Sequence, residues 1–214
     1  MAKVFRVRRD PLKAQSFRTQ RAESPEDLSQ PLYDRANFAT TVPSQTSFYS
    51  VPKGQSATLI TGTAAAAAKT KTFRDTNMEN ANVIPTKMFK IIGISIGIIH
   101  NTRQASTNGA DLALLLDGQY LQVRIVDKDL LFLPLIAVPL LNPVQAVATT
   151  ANATTMYVQN PGGGSGVGLY RLPIAITLNP YENFTITTNN DGSVTMTNSI
   201  DMYMFLHSMM RRPT

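Results

Sequence analysis

From Lys87 onward, apolar and polar residues alternate over short stretches that turn-forming residues separate. In KIIGISIGII, residues 90–99, isoleucine stands at 92, 94, 96 and 98, with glycine or serine between, and Phe184 and Ile186 alternate with threonine in NFTITT. Because successive side chains of a strand point to opposite faces, this pattern predicts antiparallel strands with one buried face. The small residues at 93, 95 and 97 also form a face that another layer can approach closely.

The same region lacks the helical crossovers that a parallel sheet needs. Asp117-Gly118, inside ADLALLLDGQYLQVRIV, favours a tight hairpin between two further strands. The apolar run LLFLPLIAVPLL at 130–141 is shorter than the roughly 20 residues of a spanning helix, and its prolines would interrupt one. We therefore predict an all-β fold, with about eight to ten antiparallel strands in a single jelly-roll sandwich over residues 87–214.

Residues 1–86 have a different pattern, with scattered apolar residues, recurring prolines and no sustained period. Such a segment does not pack a core of its own, so we predict a mostly extended N-terminal arm. Two short helices are expected within it. One begins at Ser24-Pro25 and ends before Pro31, and the other lies in the alanine run after Thr63, which is alternatively a flexible linker.

Aromatic residues are spaced along this arm, mostly one at a time. Isolated aromatic side chains on an extended chain are typical anchors for pockets on another molecule. A disordered tail with incidental aromatic residues is the alternative. The predicted anchors between subunits are Phe5, Phe17, Tyr33, Phe38, Phe48, Tyr49 and Phe73.

The charge of the chain is concentrated at its beginning. The first 21 residues hold seven of the 20 basic residues and one of the 14 acidic ones, so the remainder is balanced at thirteen of each sign and the whole net charge of +6 lies here. A basic segment attracts polyanions such as nucleic acid or anionic lipid. The predicted contact residues are Lys3, Arg6, Arg8, Arg9, Lys13, Arg18 and Arg21.

Catalytic chemistry finds little support in the sequence. The chain has no cysteine, and its two histidines, His100 and His207, are far apart with no carboxylate pattern for a metal nearby. GISIG at 93–97 matches the G-x-S-x-G nucleophile motif, but that motif requires a sharp strand-to-helix turn, whereas Ser95 falls within a predicted strand. GGGSGVG lacks the Gly-Lys-Ser/Thr ending of a phosphate-binding loop. We expect no enzyme activity, no cofactor, no metal and no small-molecule substrate.

Two stretches near the C-terminus carry a resemblance. YRLPIAITLNPYENFTITTNN at 170–190 and MFLHSMMRRPT at 204–214 resemble stretches of structural proteins of icosahedral bacteriophages. The similarity is to jelly-roll capsid proteins, including those of tailless phages, some of which enclose a lipid membrane, and it covers about residues 89–214. It implies a coat protein without an active site, whose N-terminal arm runs beneath or between neighbouring subunits.

The expected function is therefore that of a virion structural protein, which assembles with copies of itself and other virion proteins after synthesis in the host cytoplasm. There is room for only one sandwich, so a major coat subunit, a vertex protein and a surface decoration all stay open. The arm has three possible partners: genome nucleic acid, internal membrane lipid, or acidic patches of neighbouring subunits, with VFRVRR adding a strand to a neighbour's sheet. The alternative functions are a receptor-binding or fibre-head module and a nucleic-acid-binding protein that uses its basic tail.

Overall fold

The structure is a computed structural model, and it describes residues 27–61, 65–100, 108–141 and 168–211. The seven basic residues of the arm, together with Phe5 and Phe17, lie outside these ranges. Within them the chain is mostly antiparallel β-sheet. The strands are β1 (Asp27–Ser29), β2 (Leu32–Phe38), β3 (Gln45–Phe48), β4 (Ser56–Leu59), β5 (Ala67–Thr70), β6 (Met88–His100), β7 (Gln119–Ile125), β8 (Lys128–Pro134), β9 (Tyr170–Leu178), β10 (Phe184–Asn190) and β11 (Ile200–Arg211).

Sheet 1 has the strand order β1-β11-β6-β9, and β2 pairs with the same edge of β11 as β1 does. The long antiparallel pairing of β11 with β6 runs from Ile200 opposite His100 to Arg211 opposite Met88. On its other edge, β11 receives β2, with Phe38 opposite Ile200. The central strand of this sheet therefore comes from the end of the described chain.

Sheet 2 has the strand order β3-β10-β7-β8, and all of its pairings are antiparallel. At its centre Ile186 of β10 lies opposite Phe48 on one side and Val123 on the other. A third, two-stranded sheet is formed by β4 and β5, which lie between β3 and β6 in the chain.

One hydrophobic core joins sheets 1 and 2. The rings of Phe38 and Phe48, one from each sheet, have centroids 6.3 Å apart, and each such side chain stabilises the fold by roughly 1.5–3 kcal/mol when it is removed from water. The arrangement confirms the predicted all-β sandwich. The fully or almost fully buried members include Ile94, Ile96, Ile98, Met202 and Met204 from sheet 1 and Leu121, Val123, Phe184 and Ile186 from sheet 2.

The alternation predicted for residues 90–99 is confirmed except at one position. The pairing of β6 shifts between Ile91 and Gly93, and the extra residue in this bulge, Ile92, is exposed while the following isoleucines are buried. At Gly93 the close neighbour is not another layer but the start of β9 in the same sheet, since an added Cβ would lie 2.3 Å from Cδ1 of Leu169. No larger residue fits there without a shift of the neighbouring chain.

The predicted boundary at residue 86 needs correction. Strand β2 is part of sheet 1 and β3 is part of sheet 2, so both belong to the sandwich that was expected to begin at residue 87. Residues 32–60 therefore have no separate hydrophobic core, because their buried side chains pack into the core that the later strands also form. Residues 1–26, which precede β1, lie outside the described residues, so the structure does not show where the arm ends.

Three predictions of local structure were also wrong. Residues 27–29, expected in a helix, form β1, and Ala67–Thr70 of the alanine-rich run form β5. ADLALLLD, expected as a strand, lies in helix α1 (Asn108–Asp117). Its buried leucines, Leu112, Leu115 and Leu116, recur with helical spacing and pack into the core, so tertiary packing favours the helix. Gly118 follows the helix and donates its N–H to the Leu114 carbonyl.

Candidate assembly surfaces and buried polar sites

A cluster of buried charges surrounds β2, with Arg35 and Asp201 on the face of sheet 1 that points away from sheet 2 and Asp34 on the opposite face, opposite Met204. Arg35 of β2 donates from Nε to Oδ2 of Asp201 at 2.6 Å and from Nη1 to Oδ1 of Asp75 at 3.0 Å, and its Nη2 donates to the Ile60 carbonyl at 2.6 Å. Asp201 also accepts the Ile60 N–H at 2.8 Å. The guanidinium thus ties β2 and β11 to the segment that contains β4 and β5. We call Asp34, Arg35, Lys69, Lys71, Asp75 and Asp201 the ionic cluster.

The second part of the ionic cluster lies at the edge of β2. Lys71 donates from Nζ to Oδ1 of Asp34 at 2.7 Å, and both side chains are almost completely buried. The other oxygen of Asp34 accepts the Tyr49 N–H at 2.7 Å. With three carboxylates and three cations, the ionic cluster is electrically balanced, which a buried set of charges requires.

The carboxylates of the ionic cluster differ in electrostatic environment. Burial raises the pKa of Asp34 above its ordinary value, despite the opposing effect of Lys71. Burial likewise raises the pKa of Asp201, against the hydrogen bond from Asn37 and the charge of Arg35. At Asp75, burial is outweighed by hydrogen bonds from Lys69 and Thr72, so its pKa is lowered. Because each carboxylate is paired with a cation, we interpret the ionic cluster as a structural contact between sheet 1 and the β4–β5 segment.

Ser95, the residue of the G-x-S-x-G match, lies in the interior of β6 as predicted and not on a turn. Its hydroxyl lies 2.7 Å from Nε2 of His207 on β11, a contact that the sequence did not reveal. It points away from sheet 2, whereas it was expected to face that sheet, and it is fully buried. Burial also lowers the pKa of His207. The cavity that Leu32, Ile84 and Phe89 help to line does not include Ser95 among its lining residues.

His100 is the last residue of β6, and its side chain is buried. Neither ring nitrogen has a hydrogen-bond partner among the residues that the structure describes. Burial lowers the pKa of His100, and the charge of Asp111 opposes this only in part. The imidazole is therefore held in its neutral form at neutral pH.

The outer face of sheet 2 carries a row of three amide side chains and one carboxylate, which we call the amide row and which has one member on each of the four strands. Gln45 Nε2 donates to Asn189 Oδ1 at 2.9 Å, Asn189 Nδ2 to Gln122 Oε1 at 3.3 Å, and Gln122 Nε2 to Asp129 Oδ1 at 2.8 Å. Beside this row the ring of Phe132, 58% exposed, lies 6.3 Å from that of Tyr120. This face combines planar polar groups with an exposed aromatic ring.

One end of the sandwich holds unusual backbone conformations. Tyr49, Asn82, Thr86, Val126 and Tyr181 all have φ between +52° and +64°. For residues other than glycine and asparagine, this left-handed backbone conformation costs about 1–2 kcal/mol per residue. Hydrogen bonds link these positions, since the Asn82 N–H donates to the Tyr49 carbonyl and the Tyr181 N–H to the Ile84 carbonyl. We call the connections at 79–87, 126–127 and 179–183 the strained end.

Two side chains project from the strained end, Val126 at 55% exposure and Tyr181 at 69%. Beside them lies a cavity of about 140 Å³, well below the roughly 300–1,000 Å³ of a typical small-molecule pocket. Its wall includes Leu32, Met78, Ile84, Thr86 and Phe89, and its polar lining includes Glu79 and Lys87.

The structure corrects most of the predicted anchors that it describes. Phe38, Phe48 and Tyr49 are completely buried in the chain's own fold, and the Tyr49 hydroxyl donates to the Met204 carbonyl at 2.9 Å. These three rings are therefore unable to enter a neighbour's pocket. Tyr33 is partly buried and donates its hydroxyl to the carbonyl of Phe73. Phe73 is 64% exposed and carries Lys53 Nζ 3.7 Å above its ring, so it alone of these five is free to contact another molecule.

Metal and membrane sites were also sought among the described residues. They contain no group of three or more histidine, aspartate or glutamate side chains placed to hold a metal ion. Over the same ranges, no helix combines the length and the apolar character that crossing a bilayer requires.

Sequence reasoning missed the ionic cluster, the Ser95–His207 contact and the strained end. The members of the ionic cluster come from three separate segments of the chain, and no fixed spacing marks them. The alternating pattern did hold one signal, because Arg35 and Asp201 fall in strands where polar residues share a face. Comparison with known proteins adds no name to these sites, since the sequence matches no protein-family model and no curated protein.

Proposed function

We propose that this protein is a virion structural protein with a jelly-roll fold that self-assembles into a shell. The observation that carries the proposal is the nesting of the strand pairs. The eight main strands in chain order are β2, β3, β6, β7, β8, β9, β10 and β11, and they pair first with last, second with seventh, third with sixth and fourth with fifth. This is the order obtained when one long antiparallel hairpin is rolled into two four-stranded sheets, and it supports a jelly roll.

Rigidity of the subunit supports the same proposal. A shell subunit needs outer faces that keep their shape while neighbours pack against them. The ionic cluster fixes the β4–β5 segment against sheet 1, through contacts such as Arg35–Asp75 and Lys71–Asp34. Buried ion pairs contribute geometric definition more reliably than net stability.

The basic arm completes the proposal. Its seven lysines and arginines reach a polyanion inside the particle, either genome nucleic acid or the headgroups of an internal membrane, and Phe5 and Phe17 anchor the arm between subunits. Six net charges on every subunit of a shell repel one another unless an opposite charge faces them. Each phosphate contact releases counterions, so the attraction is independent of sequence and sensitive to salt.

Electron microscopy of the purified protein, or of the particle from which it comes, tests the proposal directly. We expect closed shells in which the sandwich tiles the surface. Monomers or trimers that never close, at every ionic strength tried, would contradict a coat function.

The arm is tested separately in the full-length chain. Replacing Arg6, Arg8, Arg9, Arg18 and Arg21 by glutamine should leave the sandwich folded but reduce particle filling, and rising salt should mimic the replacement if the partner is phosphate. The matched control replaces five exposed basic residues of the sandwich by glutamine: Arg74, Lys90, Arg124, Lys128 and Arg171. Equal filling and equal salt response of parent and arm variant would remove the polyanion from the proposal.

A second candidate, a receptor-binding or decoration module, is favoured by the outer face of sheet 2. The amide row and the exposed Phe132 ring offer hydrogen bonds and a stacking surface of the kind that a neutral saccharide uses. A receptor-binding protein would retain binding to the host surface as a free oligomer and lose it in Phe132→Ala. A coat subunit would show no such binding.

A further inference from the structure

We infer that the strained end is a contact between copies of this protein, in which Tyr181 of one copy enters the cavity beside Ile84 and Thr86 of another. The inference rests on the proposed function, because a shell requires subunits to bind one another, and it names one of the contacts by which they do so.

The first argument is the backbone at the projecting residues. Val126 and Tyr181 occupy the left-handed region, where glycine or asparagine would fit with little strain. Both side chains nevertheless point into solvent, with most of their surface exposed. Backbone strain of this kind is found mainly at functional sites. Here it accompanies the exposed side chains of Val126 and Tyr181, each in a turn between two strands.

The second argument is the fit between the projecting group and the cavity. A volume of about 140 Å³ accommodates one aromatic side chain and is too small for most ligands. The cavity wall of Leu32, Met78 and Phe89 suits the body of a phenol ring, and the polar lining at Glu79 and Lys87 suits its hydroxyl.

The third argument identifies the occupant by charge. Two lysines lie at the cavity: Lys87 is one of its lining residues, and Lys53 lies over the ring of Phe73, which is another. The lining residues include one carboxylate, that of Glu79. Tyr181 is followed directly by Glu182, whereas Phe5 and Phe17 of the arm are followed by Arg6 and Arg18. Like charge therefore disfavours the arm as the occupant and favours Tyr181.

The position of the two features makes the contact reciprocal. The Tyr181 N–H donates to the Ile84 carbonyl at 2.9 Å, so the projecting ring and the cavity belong to one surface. When a surface carries both a projection and its matching cavity, a two-fold axis lets each copy fill the cavity of the other.

Disulfide trapping in the full-length protein tests this contact, because the chain has no cysteine of its own. Two single variants, Tyr181→Cys and Glu79→Cys, are mixed under mild oxidation, so that every disulfide joins two copies. We expect the mixed pair to give a covalent dimer in at least tenfold higher yield than a mixture of Phe132→Cys with Glu79→Cys, which pairs the cavity with an equally exposed aromatic position elsewhere. Equal yields from the two mixtures, under conditions in which shells form, would overturn the inference and leave the proposed function standing.

A second measurement uses substitutions that remove the ring. Tyr181→Ala should weaken self-association by about 30-fold or more, the size expected for a central aromatic residue of an interface, while Phe132→Ala changes it less than threefold. Equal effects of the two would also overturn the inference. Absence of self-association in the parent protein would instead contradict the proposed function itself. Circular dichroism of both variants checks that the sandwich is folded.

Discussion

Between sheets 1 and 2 the buried side chains are almost all apolar, whereas the buried contacts of the β4–β5 segment with the opposite face of sheet 1 are mostly ionic. The contacts of the apolar core have no required direction, so a lost methyl group costs its own burial and the small cavity that it leaves. In the ionic cluster each charge depends on its partners, because a buried ion without a counterion is far less stable than the pair. Two regions that are equally buried should therefore respond differently to mutation.

The largest effect is expected at Arg35, which contacts Asp75, Asp201 and the Ile60 carbonyl. Arg35→Ala leaves two carboxylates buried without a guanidinium and should lower the free energy of unfolding by about 3–5 kcal/mol. Urea unfolding at neutral pH measures it. Lys69→Ala is the control, because Lys69 is 28% exposed and its loss should cost at most about 1 kcal/mol. Equal losses would mean that burial does not set the strength of these pairs.

In the core, Ile96→Val removes one methylene group from a fully buried side chain. We expect a loss of about 0.5–1.5 kcal/mol in the free energy of unfolding, several times smaller than for Arg35→Ala. The same change at Ile174, which is 83% exposed, should have no measurable effect. A loss at Ile96 as large as that at Arg35 would erase the contrast between the two regions.

Ser95 tests whether an isolated polar contact behaves like the ionic cluster. Ser95→Ala removes one hydrogen bond to His207 and should cost at most about 1 kcal/mol, because neither group carries a charge at neutral pH. Serine-directed fluorophosphonate probes should leave the native protein unlabelled. Stoichiometric labelling that the alanine variant abolishes would show a reactive nucleophile in place of a structural contact.

The smallest effect is expected from His100, through pH. Burial lowers its pKa below the ordinary value of 6.5, so the unfolded chain takes up a proton at a higher pH than the folded one. Stability from this group is complete above about pH 6.5 and is lost as the pH falls toward the folded pKa. Between pH 7.5 and 5, the parent should lose stability relative to His100→Gln. Parallel curves for the two proteins would remove His100 from the pH response, and the comparison cancels the opposite contributions of Asp34 and Asp201.

The sequence was sufficient to predict the sandwich because two-residue alternation acts locally. Phe184 and Ile186 face the core and their threonine neighbours face away, as the pattern indicates. Helix α1 was predictable in principle, since its buried leucines recur at helical spacing, but a short apolar run fits a strand as well.

The predictions that failed concern residues whose contact partners are far away in the sequence. Phe38 and Phe48 look isolated in the sequence because they pack against strands that follow more than a hundred residues later. The ionic cluster is hidden for the same reason. The turn between β7 and β8 was expected from Asp127 and Asp129, but the left-handed backbone of Val126 gave no signal, since neither Val126 nor Asp127 is the glycine that such a hairpin usually contains.

The central place of β11 in sheet 1 has a consequence for synthesis of the protein on the ribosome. Strand β2 is made early, yet its partner strand β11 is made last, and pairs so distant in sequence form slowly. Strand β6 can pair with β9 first, but its other edge also stays open until β11 is made. Asp201 of the ionic cluster also lies on β11, so the ionic contacts between the β4–β5 segment and sheet 1 are incomplete until that strand has been synthesised. An unfinished chain consequently lacks the finished outer face, and incomplete copies are excluded from any assembly that this face supports.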